Sequence, residues 1–130
     1  GNEIKFGDNQ KQIINELFDA QGKCEAYIYI LSKNKSEFTT IESTGEINCD
    51  YIVMENIHSE GTANFLANNS IDMGGNDGWT INPPVSRTLY WVGGTGDWSS
   101  PEHWSLASGG AGGECPPTPV DDVFFDENSF

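Results

Sequence analysis

Residues 41–61, IESTGEINCDYIVMENIHSEG, carry the pattern that decides the fold of this chain. Short apolar runs rich in Ile and Val are separated by Gly, Asn and Ser, which suit tight corners. Related segments recur at a spacing of about 24 residues, a period typical of stacked repeat units. This spacing aligns Ile28 with Ile52 and Ile30 with Met54. One unit of this size cannot bury its own apolar side, whereas stacked units share a core.

The repeat predicts an all-β fold for residues 1–81, in the form of right-handed parallel β-solenoid (β-helix) coils. Like residues of successive coils should pair in columns, such as Ile4 with Ile28 and Ile52, or Leu17 with Ile41 and Phe65. The residues expected to point inward are Ile28, Ile30, Ile41, Ile52, Met54 and Phe65. An antiparallel β-sandwich with evenly spaced strands is the alternative fold.

Two adjacent prolines divide the chain. Residues 82–89 are predicted to form a linker, because Pro83 and Pro84 cannot donate to a strand ladder and favour extended geometry. Residues 90–130 hold three tryptophans, a Gly/Pro-rich loop and a short apolar strand. They are expected to form a Trp/Gly-rich cap or the start of a further module. The strand in residues 120–130 should pair with a solenoid coil of the same chain or of a neighbouring copy.

The composition is strongly acidic, with a net charge of −14 over 130 residues. Binding to DNA, RNA or an anionic membrane surface needs clustered Lys and Arg, so none of these partners is expected. No apolar run approaches the roughly 20 residues of a membrane-spanning helix, so membrane insertion is not expected either. The chain opens on a polar stretch without a signal peptide, and we expect it to be a piece of a longer protein.

Two segments of the chain match a pattern of known repeat modules. YWVGGTGDWSSPEHWS in residues 90–105 is followed by DDVFFDENSF in residues 121–130. Together they resemble the opening of repeat modules in giant cell-surface adhesins of Bacteroidetes, including gliding-motility adhesins exported by the type 9 secretion system. Residues 49–79 resemble the closing coils of such a module, which end in a Gly-x-x-Gly-Trp sequence at Trp79.

The resemblance implies a secreted, extracellular cell-surface protein whose modules build a stalk or filament for adhesion or gliding. Residues 1–81 would close one module, and residues 90–130 would open the next. The implied partners are neighbouring modules or copies of the same protein, and surface polysaccharide. A carbohydrate-binding module that uses the Trp-rich segment is the alternative function.

Trp91, Trp98 and Trp104 are the candidate ligand-binding residues. Aromatic rings offer a flat apolar face to a sugar, and the indole N–H adds a polar contact. The alternative is a small aromatic core that caps an open end of the fold. Trp79 is expected to close the end of the first unit.

Two acidic clusters provide candidate calcium ligands. The first contains Asp72 and Asp77 with Asn76, and the second contains Asp121 and Asp122 with Asp126. Calcium takes about six to eight oxygen ligands from flexible loops. Neither cluster has the spacing of an EF-hand, and solvated acidic turns are the alternative. No other cofactor is expected.

Cys24 and Cys49 are a candidate disulfide pair. They occur in the similar contexts CEAYIYI and CDYIVM, and neighbouring strands lie about 4.8 Å apart. Bridging stacked coils would need a bulge, because a shift of one residue turns a side chain to the opposite face.

Enzymatic activity is not expected. Asp121 and Asp122 form a carboxylate pair of the kind that glycoside hydrolysis uses. However, the Gly-His-Gly and basic substrate-binding motifs of solenoid enzymes that cut pectin are missing from the sequence.

Overall fold

The computed structural model describes residues 2–130, which are all-β and fall into two compact units. The first unit ends at Pro83 and the second begins at Pro84. This boundary lies inside the predicted linker, residues 82–89. No helix in the described part of the chain is long and apolar enough to cross a membrane.

The first unit contains eleven short strands in its described residues. In chain order they are β1 (Glu3–Phe6), β2 (Lys11–Ile13), β3 (Leu17–Gln21), β4 (Ile28–Ser32), β5 (Thr39–Glu42), β6 (Glu46–Asp50), β7 (Ile52–Glu55), β8 (Ile57–Glu60), β9 (Leu66–Asn68), β10 (Ile71–Asp72) and β11 (Thr80–Ile81).

These strands build three sheets that the chain visits in turn. The sheet orders are β1-β4-β7-β10, β2-β5-β8 and β3-β6-β9-β11, and all pairings between these strands are parallel. Strands β4 and β7, which an antiparallel sandwich would pair in opposite directions, run in the same direction. The antiparallel alternative is therefore wrong for this unit.

The pairing register confirms only part of the predicted repeat. Ile28 pairs with Ile52 and Ile30 with Met54, as the sequence predicted. The predicted columns fail on both sides of this pair of strands. Ile4 pairs with Ile30 and Leu17 with Glu46. Ile41 pairs with Ser59 and not with Phe65. Parallel register depends on the length of each connecting turn, and these turns are not equal along the chain. A uniform period of about 24 residues is therefore a wrong prediction outside the pair β4 and β7.

The core of the first unit lies between the three sheets. Ile30, Ile41, Ile52, Met54 and Phe65 are buried in it, and Ile28 packs against it, so all six predicted inward residues are confirmed. Trp79 directly precedes the end strand β11 and also packs against this core. Its ring meets Phe65 edge-on with 5.1 Å between the centroids.

The predicted Cys24–Cys49 disulfide is wrong. Cys49 is a buried free thiol in β6, where it pairs with Ala20 of β3 and Ala67 of β9. All three residues belong to the core, so the small thiol fills interior space. Cys24 lies outside the strands, in the turn that the bridge between Lys23 and Ala26 closes. No bulge brings the two cysteines into register.

The second unit is built on a three-stranded sheet. Its elements are β12 (Thr88–Trp91), a 3₁₀ turn (Pro101–His103), β13 (Trp104–Ser105) and β14 (Asp122–Phe124). The central strand β12 pairs antiparallel with β13 and parallel with β14. The last strand, β14, therefore pairs within the second unit, whereas the sequence predicted that it would pair with a solenoid coil. Val123 packs on a core of Leu89, Trp91 and Trp104.

Candidate functional site

Trp91 and Trp104 form the aromatic core of the second unit. Both are buried, and their rings meet edge-on with 5.1 Å between the centroids. The Nε1 of Trp104 donates a hydrogen bond to the carbonyl oxygen of Trp98 at 2.7 Å, and that of Trp91 donates to Gly94. His103 stacks on Trp91 at 4.6 Å. These contacts give both tryptophans a packing role in the core of the second unit.

Trp98 is different, because 50% of its surface remains exposed. It packs edge-on against Trp104, with 4.7 Å between the ring centroids, and borders an open cleft of about 320 Å³. The cleft is lined by Trp91, Thr95, Gly96, Trp98, Phe125 and Phe130. Of the three predicted tryptophans, Trp98 is thus the one that can offer a broad ring surface to a ligand.

Phe125 and Phe130 complete this cleft and were not predicted as site residues. Their rings stack at 6.2 Å with an angle of 10°. A turn at residues 126–129 brings them together, since the backbone N–H of Asp126 donates to the buried hydroxyl of Ser129 and that of Asn128 donates to the Asp126 carboxylate. The alternation of Val123, Phe124 and Phe125 was a signal that Phe125 shares a face with the core.

The charge around the cleft does not favour an anionic ligand. The second unit contains seven Asp and Glu residues and a single cation, Arg87. Hydrogen bonds to the Asp126 carboxylate, first from the Ser108 side chain and then from the Asn128 backbone, lower the pKa of Asp126 below its usual value. The carboxylate beside Phe125 therefore stays ionised, and the cleft suits an uncharged apolar surface such as a sugar face.

The first acidic cluster is held together by the side chain of Asn76. Its Nδ2 donates to Asp72 Oδ1 at 2.6 Å and to the Met54 carbonyl oxygen at 2.9 Å. Its Oδ1 accepts from the backbone N–H of Ile57 at 2.9 Å. Within the described residues, this cluster does not bring three metal-ligating side chains within reach of one ion. The Asp72 carboxylate thus belongs to a hydrogen-bonded turn, and the backbone carbonyl oxygen of Asp77 accepts hydrogen bonds from Ser59.

In the second acidic cluster, Asp121 is committed to an internal network. Its side chain has no exposed surface and accepts hydrogen bonds from Arg87 N, Nε and Nη2 and from Thr118 N and Oγ1. Burial alone raises the pKa of Asp121, but the hydrogen bonds from Arg87 and Thr118 outweigh it, and the pKa lies below its usual value. Both oxygens already have donors, so Asp121 has little capacity left for calcium.

Asp122 lies in different surroundings from Asp121. It is exposed in β14, where it pairs with Thr88, whereas the Asp121 side chain is buried against Arg87. Glycoside hydrolysis needs two carboxyl groups that flank one bond in a shared cleft. Neither residue lines the aromatic cleft.

Comparisons with known proteins give no match: no family model, no curated protein and no solved structure is significantly similar to this chain.

Proposed function

We propose that this chain is a structural and adhesive segment of a long, repetitive, secreted cell-surface protein. The observation that carries the proposal is the topology of the first unit, in which the chain visits three parallel sheets in turn. A circuit is one passage of the chain through these sheets, and it adds a strand to each sheet that it visits. The structure therefore lengthens when circuits are added. Such a design suits a stalk or a filament.

The specific architecture that we propose for the described part of residues 1–81 is a right-handed parallel β-solenoid. The parallel pairing of β1, β4, β7 and β10 supports this architecture. The handedness follows from the general rule that crossovers between parallel strands are right-handed. The sequence resemblance to adhesin modules of Bacteroidetes gives the same architecture, and with it the extracellular location and the neighbouring modules as partners.

Tandem copies of the chain test the stalk proposal. We would join one, two and four copies in series and measure the radius of gyration by small-angle X-ray scattering. A stalk predicts that the radius grows roughly in proportion to copy number, whereas a compact particle with four times the residues grows only about 1.7-fold. Compact growth would contradict the proposed function.

A carbohydrate-binding role of the second unit is the second candidate function. It is supported by the cleft that Trp98, Phe125 and Phe130 border. The test is a glycan array with the native chain and with Trp98→Ala, and Val85→Ala serves as the exposed control outside the cleft. Binding that Trp98→Ala abolishes and Val85→Ala preserves would favour this function. Absence of binding to neutral glycans would exclude it.

We also infer that the chain has no hydrolase or lyase activity. The separation of Asp121 from Asp122, one buried and one exposed, supports this inference. Release of reducing ends or unsaturated sugars from pectin-like polymers, abolished by Asp122→Asn, would contradict it.

A further inference from the structure

The outer face of the sheet β1-β4-β7-β10 has a charge that differs from the rest of the chain. The first unit contains five lysines against thirteen Asp and Glu residues. Three of the five lysines, Lys5, Lys33 and Lys35, line a single groove of about 330 Å³ on this sheet. Only two carboxylates, Glu3 and Glu55, line the same groove. A chain that is acidic overall thus carries a basic groove.

Strand register explains how the groove forms. Glu3, Tyr29 and Val53 are paired across three strands, and so are Lys5, Leu31 and Glu55. Side chains two residues apart share one face of a strand, so these two rows lie side by side on the outer face, while Ile30 and Met54 are buried in the core. The rows give the groove an apolar floor of Tyr29, Leu31 and Val53, with charged groups along it.

Lys33 and Lys35 project from a loop whose backbone is fixed. The carbonyl oxygen of Lys35 accepts a hydrogen bond from Asn56 Nδ2 at 2.7 Å, and the backbone N–H of Asn34 donates to Asp8 Oδ1 at 2.6 Å. The backbone N–H of Lys33 also donates to the Phe6 carbonyl oxygen at 2.8 Å. These contacts hold both lysines at the groove rather than on a free loop.

The charges of Lys33 and Lys35 are available to a ligand. Lys5 contacts Glu3 at 2.7 Å, and Lys11, which lies outside the groove, contacts Glu42 and Glu60. Lys33 and Lys35 form no ion pair with any residue between 2 and 130. Tyr29 also lines the groove and is 41% exposed.

We propose that this groove binds an acidic polysaccharide that carries carboxylate groups, such as a polymer of uronic acids. Tyr29 would stack on the apolar face of a sugar ring, and Lys33 and Lys35 would pair with carboxylates on the polymer. Such a polymer carries fewer charges per unit length than a nucleic acid. A chain of net charge −14 therefore repels it less than it repels the dense phosphate charge of a nucleic acid. This site is separate from the aromatic cleft and gives the adhesive segment a ligand class.

The test is calorimetric titration of the full chain with polygalacturonate at low ionic strength. Methyl-esterified polygalacturonate is the neutral control polymer, and a DNA oligonucleotide is the control for other polyanions. We expect binding to polygalacturonate that weakens in salt, because exposed ion pairs are screened. Comparable affinity for the esterified polymer or for DNA would overturn the proposal.

Variants with equal charge changes locate the site. Lys33→Gln and Lys35→Gln should each weaken binding about threefold, in the range of exposed ion pairs, and the double variant about tenfold. Lys23→Gln removes the same charge from the turn at residues 23–26 and should leave the affinity unchanged. Tyr29→Leu should also weaken binding through the lost stacking. Circular dichroism checks that each variant is folded. An equal loss in Lys23→Gln, or no loss in the double variant, would refute the site.

Discussion

Glu42 and Glu60 are register partners in the adjacent strands β5 and β8, and the ammonium group of Lys11 contacts both carboxylates. Like charges directly opposite each other destabilise a pair of strands. Lys11 reaches them from β2, so one cation of the first circuit offsets the repulsion between the two circuits that follow.

Removal of the Lys11 charge should therefore lower the melting temperature of the first unit more than removal of a lysine without such contacts, because the repulsion between Glu42 and Glu60 is then no longer offset. Lys11→Gln should lower it by a few degrees, and Glu60→Gln in the same chain should restore most of the loss. Lys23→Gln is the matched control, with no expected effect. The measurement is thermal unfolding by circular dichroism at low and high salt. An effect of Lys11→Gln that Glu60→Gln does not reduce would contradict this account.

Asp121 should be essential for the second unit. Asp121→Asn leaves the partly buried guanidinium of Arg87 without its counter-ion, a change that costs about 3 kcal/mol in buried pairs. Asp122→Asn alters the exposed neighbouring carboxylate and should change the free energy of unfolding by less than about 0.5 kcal/mol. Urea unfolding followed by tryptophan fluorescence measures both.

The same wild-type sample should lose stability as the pH falls, because the pKa of Asp121 is lower in the folded state than in the unfolded state.

The pH dependence has a defined sign. The contribution of Asp121 is present above its unfolded pKa, near 3.8, and is lost as the pH falls through its lower folded value. Between pH 7 and pH 3, Asp121→Asn should therefore lose less stability than the wild type. An equal loss in both proteins would assign the acid sensitivity to other carboxyl groups.

A charge at the centre of the first core should unfold that unit. Ile52 has no exposed surface and lies among residues of all three sheets. Ile52→Asp would bury an unpaired carboxylate and leave a cavity, at a cost of more than about 4 kcal/mol. Ile13→Asp is the matched control, because Ile13 is 62% exposed in the end strand β2. Loss of the β-sheet circular dichroism signal in Ile52→Asp alone is the expected result, and a folded Ile52→Asp chain would refute the core assignment.

The sequence predicted the central register because the similar segments CEAYIYI and CDYIVM place Ile28 and Ile52 at the spacing that β4 and β7 use. It misplaced the circuits on either side, where Ile4 pairs with Ile30 and Ile41 with Ser59, since nothing in the apolar pattern reports the length of a turn. The aromatic cleft was predicted through Trp98 but not through Phe130, which reaches it by a hydrogen-bonded turn. The basic groove was invisible because Lys5 and Lys33 are distant in sequence and meet only through the register of β1 and β4.

Cys49 should be inert in the folded chain. Burial, followed by the negative charge of Asp19, raises the pKa of the Cys49 thiol to about 12. Thiolate is the reactive form, so iodoacetamide at pH 8 should leave Cys49 unmodified, while the same reagent in urea should label it fully. Peptide mass spectrometry measures the label at this one position. Rapid labelling without urea would show that the column of Ala20, Cys49 and Ala67 opens readily.

The open edge of the first circuit should drive self-association. Strands β1, β2 and β3 each lie at one end of their sheet, and they carry the exposed apolar side chains of Ile4, Ile13 and Leu17. Unpaired edges with apolar side chains recruit further strands, and head-to-tail contacts propagate when they do not close a ring. Light scattering should therefore show a mass that rises with concentration above 14.2 kDa.

Replacement of Ile13 and Leu17 by lysine should return the chain to the monomer mass. The same charge placed at the exposed Val85 and Leu106 of the second unit should leave the association unchanged. A wild-type chain that stays at the monomer mass at every concentration, or an equal effect of both double variants, would exclude this edge as the contact between copies.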